Sequence, residues 1–185
     1  MKPTPQEQLV RLASDSQSIY EDAWEWFRSE GPSSAPVLVE GLGNDRLGLV
    51  CHWRILLLLR EFALPSTLPA ILAAFRKSLE RKDPIVLPGA MEALAVFPSE
   101  EAASALISVL SAGGTDDVKH AAALLGQRGD ARSVEALGAL LENKLATIRQ
   151  SAISALKVTS SSRAGELLKK HRARETDPGV LKSMP

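Results

Sequence analysis

Residues 129–156 read GDARSVEALGALLENKLATIRQSAISAL. The stretch opens on a breaker, Gly129-Asp130, and holds two helix-like segments joined by Glu142-Asn143-Lys144. A Leu at 141 is followed seven residues later by Ile148, and then by Ala152, Ala155 and Leu156 at +4, +7 and +8 from that isoleucine. Positions 0, +4, +7 and +8 lie on one face of an α-helix, so the second segment presents one stripe for burial. A two-helix unit cannot bury such a stripe alone. Neighbouring units must cover it, and small residues let the helices approach closely.

The same register appears at Leu79, Val86, Ala90, Ala93 and Leu94. It recurs at Leu12, Ile19, Ala23, Trp26 and Phe27, and at Leu42, Leu49, Trp53, Leu56 and Leu57. A looser copy runs through Leu110, Val118, Ala122 and Leu125. Breakers fall at Gly31-Pro32, Leu64-Pro65, Phe97-Pro98 and Gly129-Asp130, in steps of 33, 33 and 32 residues. The spacing predicts paired helices over 5–13 and 18–30, 34–42 and 46–62, 67–81 and 84–97, 99–111 and 116–127, and 131–142 and 145–158, with a last helix over 162–174. The expected fold is all-α: a right-handed α-solenoid of about five two-helix repeats plus a C-terminal helix. One domain is expected over 1–174, with a frayed tail over 175–185.

Composition agrees. The 185 residues include 28 Leu and 25 Ala against 18 Val plus Ile and 8 aromatics, so good helix formers dominate. Charge balances at 22 basic and 22 acidic residues, which argues against a nucleic-acid or anionic-membrane binder that works by neutralising phosphate. The N-terminus, from Met1 to Glu7, has no apolar core of a signal peptide, and the longest purely apolar run, Ile55 to Leu59, is far too short to span a bilayer. A lone cysteine, Cys51, excludes an intrachain disulfide framework and fits a reducing compartment. The expectation is a cytoplasmic chain.

The segment Asp116-Asp117-Val118-Lys119 followed by Ala121-Ala122-Ala123-Leu124-Leu125-Gly126, the pair Gly129-Asp130, and Ile148-Arg149 followed by Ala152, Ala155 and Leu156 resemble the HEAT-like repeats of the phycobilisome-lyase family and of many bacterial helical-repeat proteins. The resemblance is strong over 99–160 and weak before 66. The family's basic residue after the aliphatic is present as Lys119 and Arg149, and is replaced by Tyr20, Val50 and Leu87 in the first three units. The resemblance implies the fold and no single function, because such arrays serve as scaffolds, inhibitors, lyases and nucleic-acid enzymes.

Catalytic material is poor. His52, His120 and His171 lie in different repeats, and Cys51 and His52 are helix neighbours whose side chains diverge by about 100°, too far apart to face one metal. Gly41-Leu42-Gly43 lacks the Lys-Ser/Thr of a phosphate loop. Asp116-Asp117 reads as a cap on the helix that follows. No catalytic residue, cofactor site or metal site is assigned, and the chain reads as a non-enzyme.

The aromatics point instead to a protein partner. All three tryptophans precede residue 54. By the repeat register Trp26 and Phe27 are core, which leaves Trp24 off the stripe beside Tyr20, either as a cap on the first repeat or as a binding anchor. The candidate partner-binding residues are Tyr20, Trp24 and Glu25, then Arg54, Ile55 and Leu58, then Met91 and Glu92, on the second helices of the first three repeats. Residues 15–30 carry five acids against Arg28 (net −4), and 163–174 carry five bases against Glu166 (net +4). The expected function is a non-enzymatic protein-binding module, whether scaffold, adaptor or inhibitor/immunity-type protein, that grips a protein partner on the concave face of a short HEAT-like array, with no nucleic acid and no membrane as partner. The alternative is an enzyme on a HEAT-like fold, DNA glycosylase-like or bilin lyase-like.

Overall fold

The structure, a computed structural model, describes residues 3–185. Met1 and Lys2, which belong to the expected domain and to the leader reading, lie outside the described residues. Twelve α-helices and no strand are present among those residues. Five antiparallel pairs follow the predicted order: α1 (Pro5–Leu12) with α2 (Gln17–Glu30), α3 (Ala35–Leu42) with α4 (Gly48–Phe62), α5 (Leu68–Arg81) with α6 (Val86–Ala95), α7 (Glu100–Ala112) with α8 (Thr115–Arg128), and α9 (Ala131–Leu140) with α10 (Ala146–Val158). Then come α11 (Ser162–Arg172) and α12 (Pro178–Ser183). The chain divides into two compact units, 1–97 with the first three pairs and 98–185 with the rest.

The pair boundaries follow from local chemistry. Asp130 and Ser99 each accept the backbone N–H three residues ahead and cap α9 and α7. Asp117 accepts the Gly114 N–H at 3.0 Å, so one member of the Asp116-Asp117 pair is the expected cap. Gly129 ends α8 in the left-handed region, at φ +63, which glycine adopts without a Cβ penalty. The predicted start of α6 at Pro84 moves to Val86. Asp83 caps it, with one carboxylate oxygen accepting from both Ile85 and Val86.

The stripe is buried where its pattern was cleanest. Leu141, Ile148, Ala152, Ala155 and Leu156 are all buried, as are Val86, Ala90, Ala93 and Leu94. In the second unit of the chain α8 and α10 meet backbone to backbone: a Cβ placed on Gly126 would lie 2.8 Å from the Ala155 carbonyl oxygen and 2.9 Å from its Cα.

The second repeat departs from the expected register. Leu49 and Trp53, read as core, are 44% and 38% exposed. The buried set lies one residue earlier, at His52, Ile55 and Leu56, and the position one turn before His52 is Gly48, exposed at the start of α4. Glycine carries no apolar side chain to mark that position, so the pattern aligns on Leu49 instead. The burial of His52 is satisfied by a hydrogen bond of 3.0 Å between its Nε2 and the Asn44 carbonyl. Ile19 in the first repeat is likewise 39% exposed and Trp26 is half-buried, in edge-to-face contact with Phe27.

Residues 175–185, expected as a frayed tail, are tied down. Asp177 caps α12, Val180 and Met184 are buried, and α12 packs on α10. The anchor is an ion-pair cluster with little solvent access. Arg149 donates to both Glu175 carboxylate oxygens at 2.8 and 3.0 Å, and to the carbonyls of Asn143 and Lys144. Nε2 of the buried His171 lies 2.9 Å from the same carboxylate. Arg149, the family-type basic residue, thus binds the end of one repeat to the segment after the next helix. Its guanidinium holds the Glu175 carboxyl well down, at about 2.

Two measurements test this packing. Gly126→Ala meets backbone, so thermal unfolding is expected to show a loss of about 1–3 kcal/mol, whereas Gly165→Ala, with nothing within 4 Å, is expected to cost nothing. Because the Glu175 carboxyl is depressed from 4.5 to about 2, its pairing stabilises the fold fully above pH 4.5 and is lost as pH falls towards 2. The Tm gap between wild type and Glu175→Gln is therefore widest near neutrality and closes across that window.

Candidate functional site

In the first unit exposed apolar residues lie on α1, at Val10, on α2, at Ile19, on α4, at Leu49, Val50 and Trp53, and at the two ends of α6, at Ile85 and Val96. On α4 the stripe runs through Val50, Trp53, Leu57 and Glu61, at helical spacing on the side opposite the buried Cys51, Ile55 and Leu58. Trp53 is held against α6 because residue 89 is glycine: a Cβ there would sit 2.7 Å from the Trp53 Cδ1. Ile85 and Val96 continue the apolar surface along α6, at 39% and 41% exposure. On α2 the half-buried Tyr20 and Trp24 share a face at i, i+4.

Long side chains, rather than small ones, join α2 to α4. The Arg54 guanidinium carbon lies 3.7 Å from the centre of the Tyr20 ring. Its Nη1 also donates to the carbonyls of Leu12 and Ser14, at 2.7 and 2.9 Å, satisfying groups at the end of α1. Arg28 pairs with Glu61 on α4 at 3.0 Å and with Glu25 at 3.4 Å, and Arg60 pairs with Glu92 on α6 at 2.8 Å. The pairs Arg28–Glu61 and Arg60–Glu92 repeat at the period of the fold and form a ladder along this face.

The structure divides the eight candidate residues. Tyr20, Trp24, Glu25, Arg54 and Glu92 reach the surface of one unit, with Arg54 and Glu92 engaged inside the molecule. Ile55, Leu58 and Met91 are wholly buried, and their assignment to a surface is corrected. The second helix of a repeat is covered by its own partner helix and by the next repeat, so its buried arc is broader than the four-position stripe. The residues that sequence reasoning missed are Val50, Trp53 and Leu57. The signal that reveals them is the register shifted by Gly48.

The second unit offers a different surface, a groove of about 550 Å³ between α8 and α10. Its lining includes Lys119, Gln127, Gln150, Ser151 and Ser154. Here the helices touch closely, and short polar side chains leave the space open.

Burial pushes the Cys51 thiol up to about 11, which makes it a poor nucleophile. Among the described residues no cluster of three His, Cys, Asp or Glu is arranged to hold a metal ion, and no helix is long and apolar enough to cross a membrane.

Neither a protein-family model nor a curated protein sequence matches the chain. Among solved structures, the complex of CpcE and CpcF of phycocyanin lyase from Nostoc sp. PCC7120 is similar, with a TM-score of 0.60 and 20% identity, over 97% of this chain and 74% of that chain. The fold is HEAT-like. Human deoxyhypusine hydroxylase in complex with glycerol is also similar, over 97% of this chain and 93% of that chain, with 15% identity and a TM-score of 0.46. At 20% identity the likeness to the phycocyanin lyase structure speaks for the architecture of the helical repeats and leaves their surfaces to be read from this chain.

Arg54 is the residue on this face whose structural role is best defined. Arg54→Met removes two charge-assisted hydrogen bonds and is expected to cost about 1.5–3 kcal/mol in denaturant unfolding. Arg46→Met, on an exposed turn, is expected to leave the midpoint unchanged.

Proposed function

We propose that this chain is a protein-binding module that docks its partner on the solvent-facing side of α2, α4 and α6. The observation that carries the reading is Trp53, 38% exposed and seated on Gly89, with Val50 and Leu57 on the same helical face and Trp24 and Tyr20 on the neighbouring helix. Large apolar side chains left in water are costly unless something covers them, and tryptophan is the residue type that most often anchors interfaces. The surrounding arginines and carboxylates supply the polar rim.

The face suits protein better than nucleic acid. Each of its arginines is engaged within the fold: Arg28 by Glu61, Arg54 by two carbonyls, Arg60 by Glu92. Phosphates require cations that are available to meet them. The phycocyanin lyase structure, a complex of CpcE with CpcF, supports the same class of reading, since there a HEAT-like chain meets another protein. The fold likeness also favours a second reading, an enzyme related in action to that lyase. It predicts that the chain, with its partner, attaches a bilin covalently to an acceptor protein, a product visible by its colour on a denaturing gel.

The binding reading is tested by capture from native extract. Trp53→Ala and Trp24→Ala are expected to weaken partner binding by about tenfold or more, with unchanged helical circular dichroism. Lys170→Ala, on α11, is expected to change it less than about threefold. The reverse ranking removes the site from the first unit.

A further inference from the structure

The charge around the Trp24 end of this face is not balanced. Residues 15–30 hold five acids and one base. The base, Arg28, is taken by Glu61, with Glu25 sharing it at the longer distance of 3.4 Å. Asp22 is met by Arg11 at 3.1 Å. Among the described residues Asp15, Glu21 and Glu30 meet no basic side chain, and Glu21 has only the neutral amide of Gln17. The nearest other guanidinium, on Arg54, is committed to the Leu12 and Ser14 carbonyls and to the Tyr20 ring. Glu21, next to Tyr20 in sequence, and Asp15 and Glu30 at the two ends of α2 are therefore carboxylates without counter-charges among the described residues.

We propose that the partner presents a cationic amphipathic helix: apolar residues for Trp24, Val50 and Trp53, and Lys or Arg beside them for the carboxylates on α2 and just before it. This inference rests on the docking reading above and adds the partner's chemistry to it. Three features of the face fit such an occupant. The apolar stripe of α4 has the i, i+3, i+7 spacing that a second helix can lie along. The half-buried Trp24 is an aromatic ring to which a cation is drawn, whereas Tyr20 already carries Arg54. The unpaired acids attract cations at a distance and repel an acidic segment, so they select the partner as well as hold it. An anionic lipid surface is disfavoured by the same charges.

The probe is a synthetic helical peptide of Leu and Lys with its leucines on one face, compared with the same peptide carrying Glu at every Lys. Binding to the full chain is measured by calorimetry at low and high salt. The Lys peptide is expected to bind at least about tenfold tighter than its Glu twin, and to weaken as salt rises. The variant Asp15→Asn/Glu21→Gln/Glu30→Gln disturbs no ion pair of the fold and is expected to lose most of that preference. Trp53→Ala is expected to weaken both peptides. If both peptides bind equally and both depend on Trp53, the face docks protein but the charge inference fails. If neither peptide's binding depends on Trp24 or Trp53, the docking reading fails with it. Sedimentation as a dimer that Trp53→Ala dissociates, with the Lys peptide unable to bind, places a second copy on the face and overturns the proposal.

Discussion

Everything in this molecule depends on how closely its second helices are allowed to approach. Where α8 meets α10, Gly126 lies against the backbone of Ala155, and the two helices stack with no side chain between them. Ala121, Ala122 and Ala152 extend the same condition along the helices, all with no exposed surface. Close packing of this kind gains many dispersion contacts over a small area, but it leaves no tolerance for an added methylene. The repeat period of about 32 residues is what two helices and two turns require when each stripe must land on the next. In the first unit that rule is relaxed at α2 and α4. There Tyr20 and Arg54 fill the junction, and the bulk that would be excluded at Gly126 becomes exposed aromatic surface.

That contrast gives the two units different surfaces from one plan. In the second unit, tight junctions and short polar residues leave an open groove lined by Gln127, Gln150 and Ser154. In the first unit, Trp53 lies across the corresponding junction between α4 and α6, a position made available by Gly89. The ion pairs there, Arg28–Glu61 and Arg60–Glu92, are half-exposed and add little individually to stability, on the order of 0–1 kcal/mol each. Their more consequential effect is to consume the arginines, so that the surface near Trp24 is left acidic.

The fold was legible in the sequence because helical repeats write their core as a pattern repeated in register. Val86 with Ala90 and Ile148 with Ala152 were read correctly, whereas Ile19 with Ala23, the same pattern in the first unit, leaves the isoleucine 39% exposed. The unit that begins with Gly48 was misread, because its first stripe position has no side chain, and Leu49 one residue later satisfied the pattern. That single step put Trp53 in the core on paper and on the surface in the structure. Surface residues were harder to read for a second reason. Burial of α4 spans the arc from Cys51 to Leu59, set by neighbours on more than one side, and a four-position stripe underestimates it. Ile55, Leu58 and Met91 were lost to that breadth, while Tyr20 and Trp24 are half-buried. The ordering of 175–185 was illegible for a related reason: it depends on Arg149 reaching Glu175 across 26 positions in sequence, a contact that no local pattern encodes.

The account stands or falls on which surface meets the partner, and site-specific photocrosslinking in the native cell reads that directly. A photoreactive phenylalanine analogue at Val50, on the exposed side of α4, is predicted to capture a protein partner, and the same group at Ser154, in the groove of the second unit, is predicted to capture none. Crosslinking from Ser154 alone would contradict the assignment of the docking face to α2, α4 and α6.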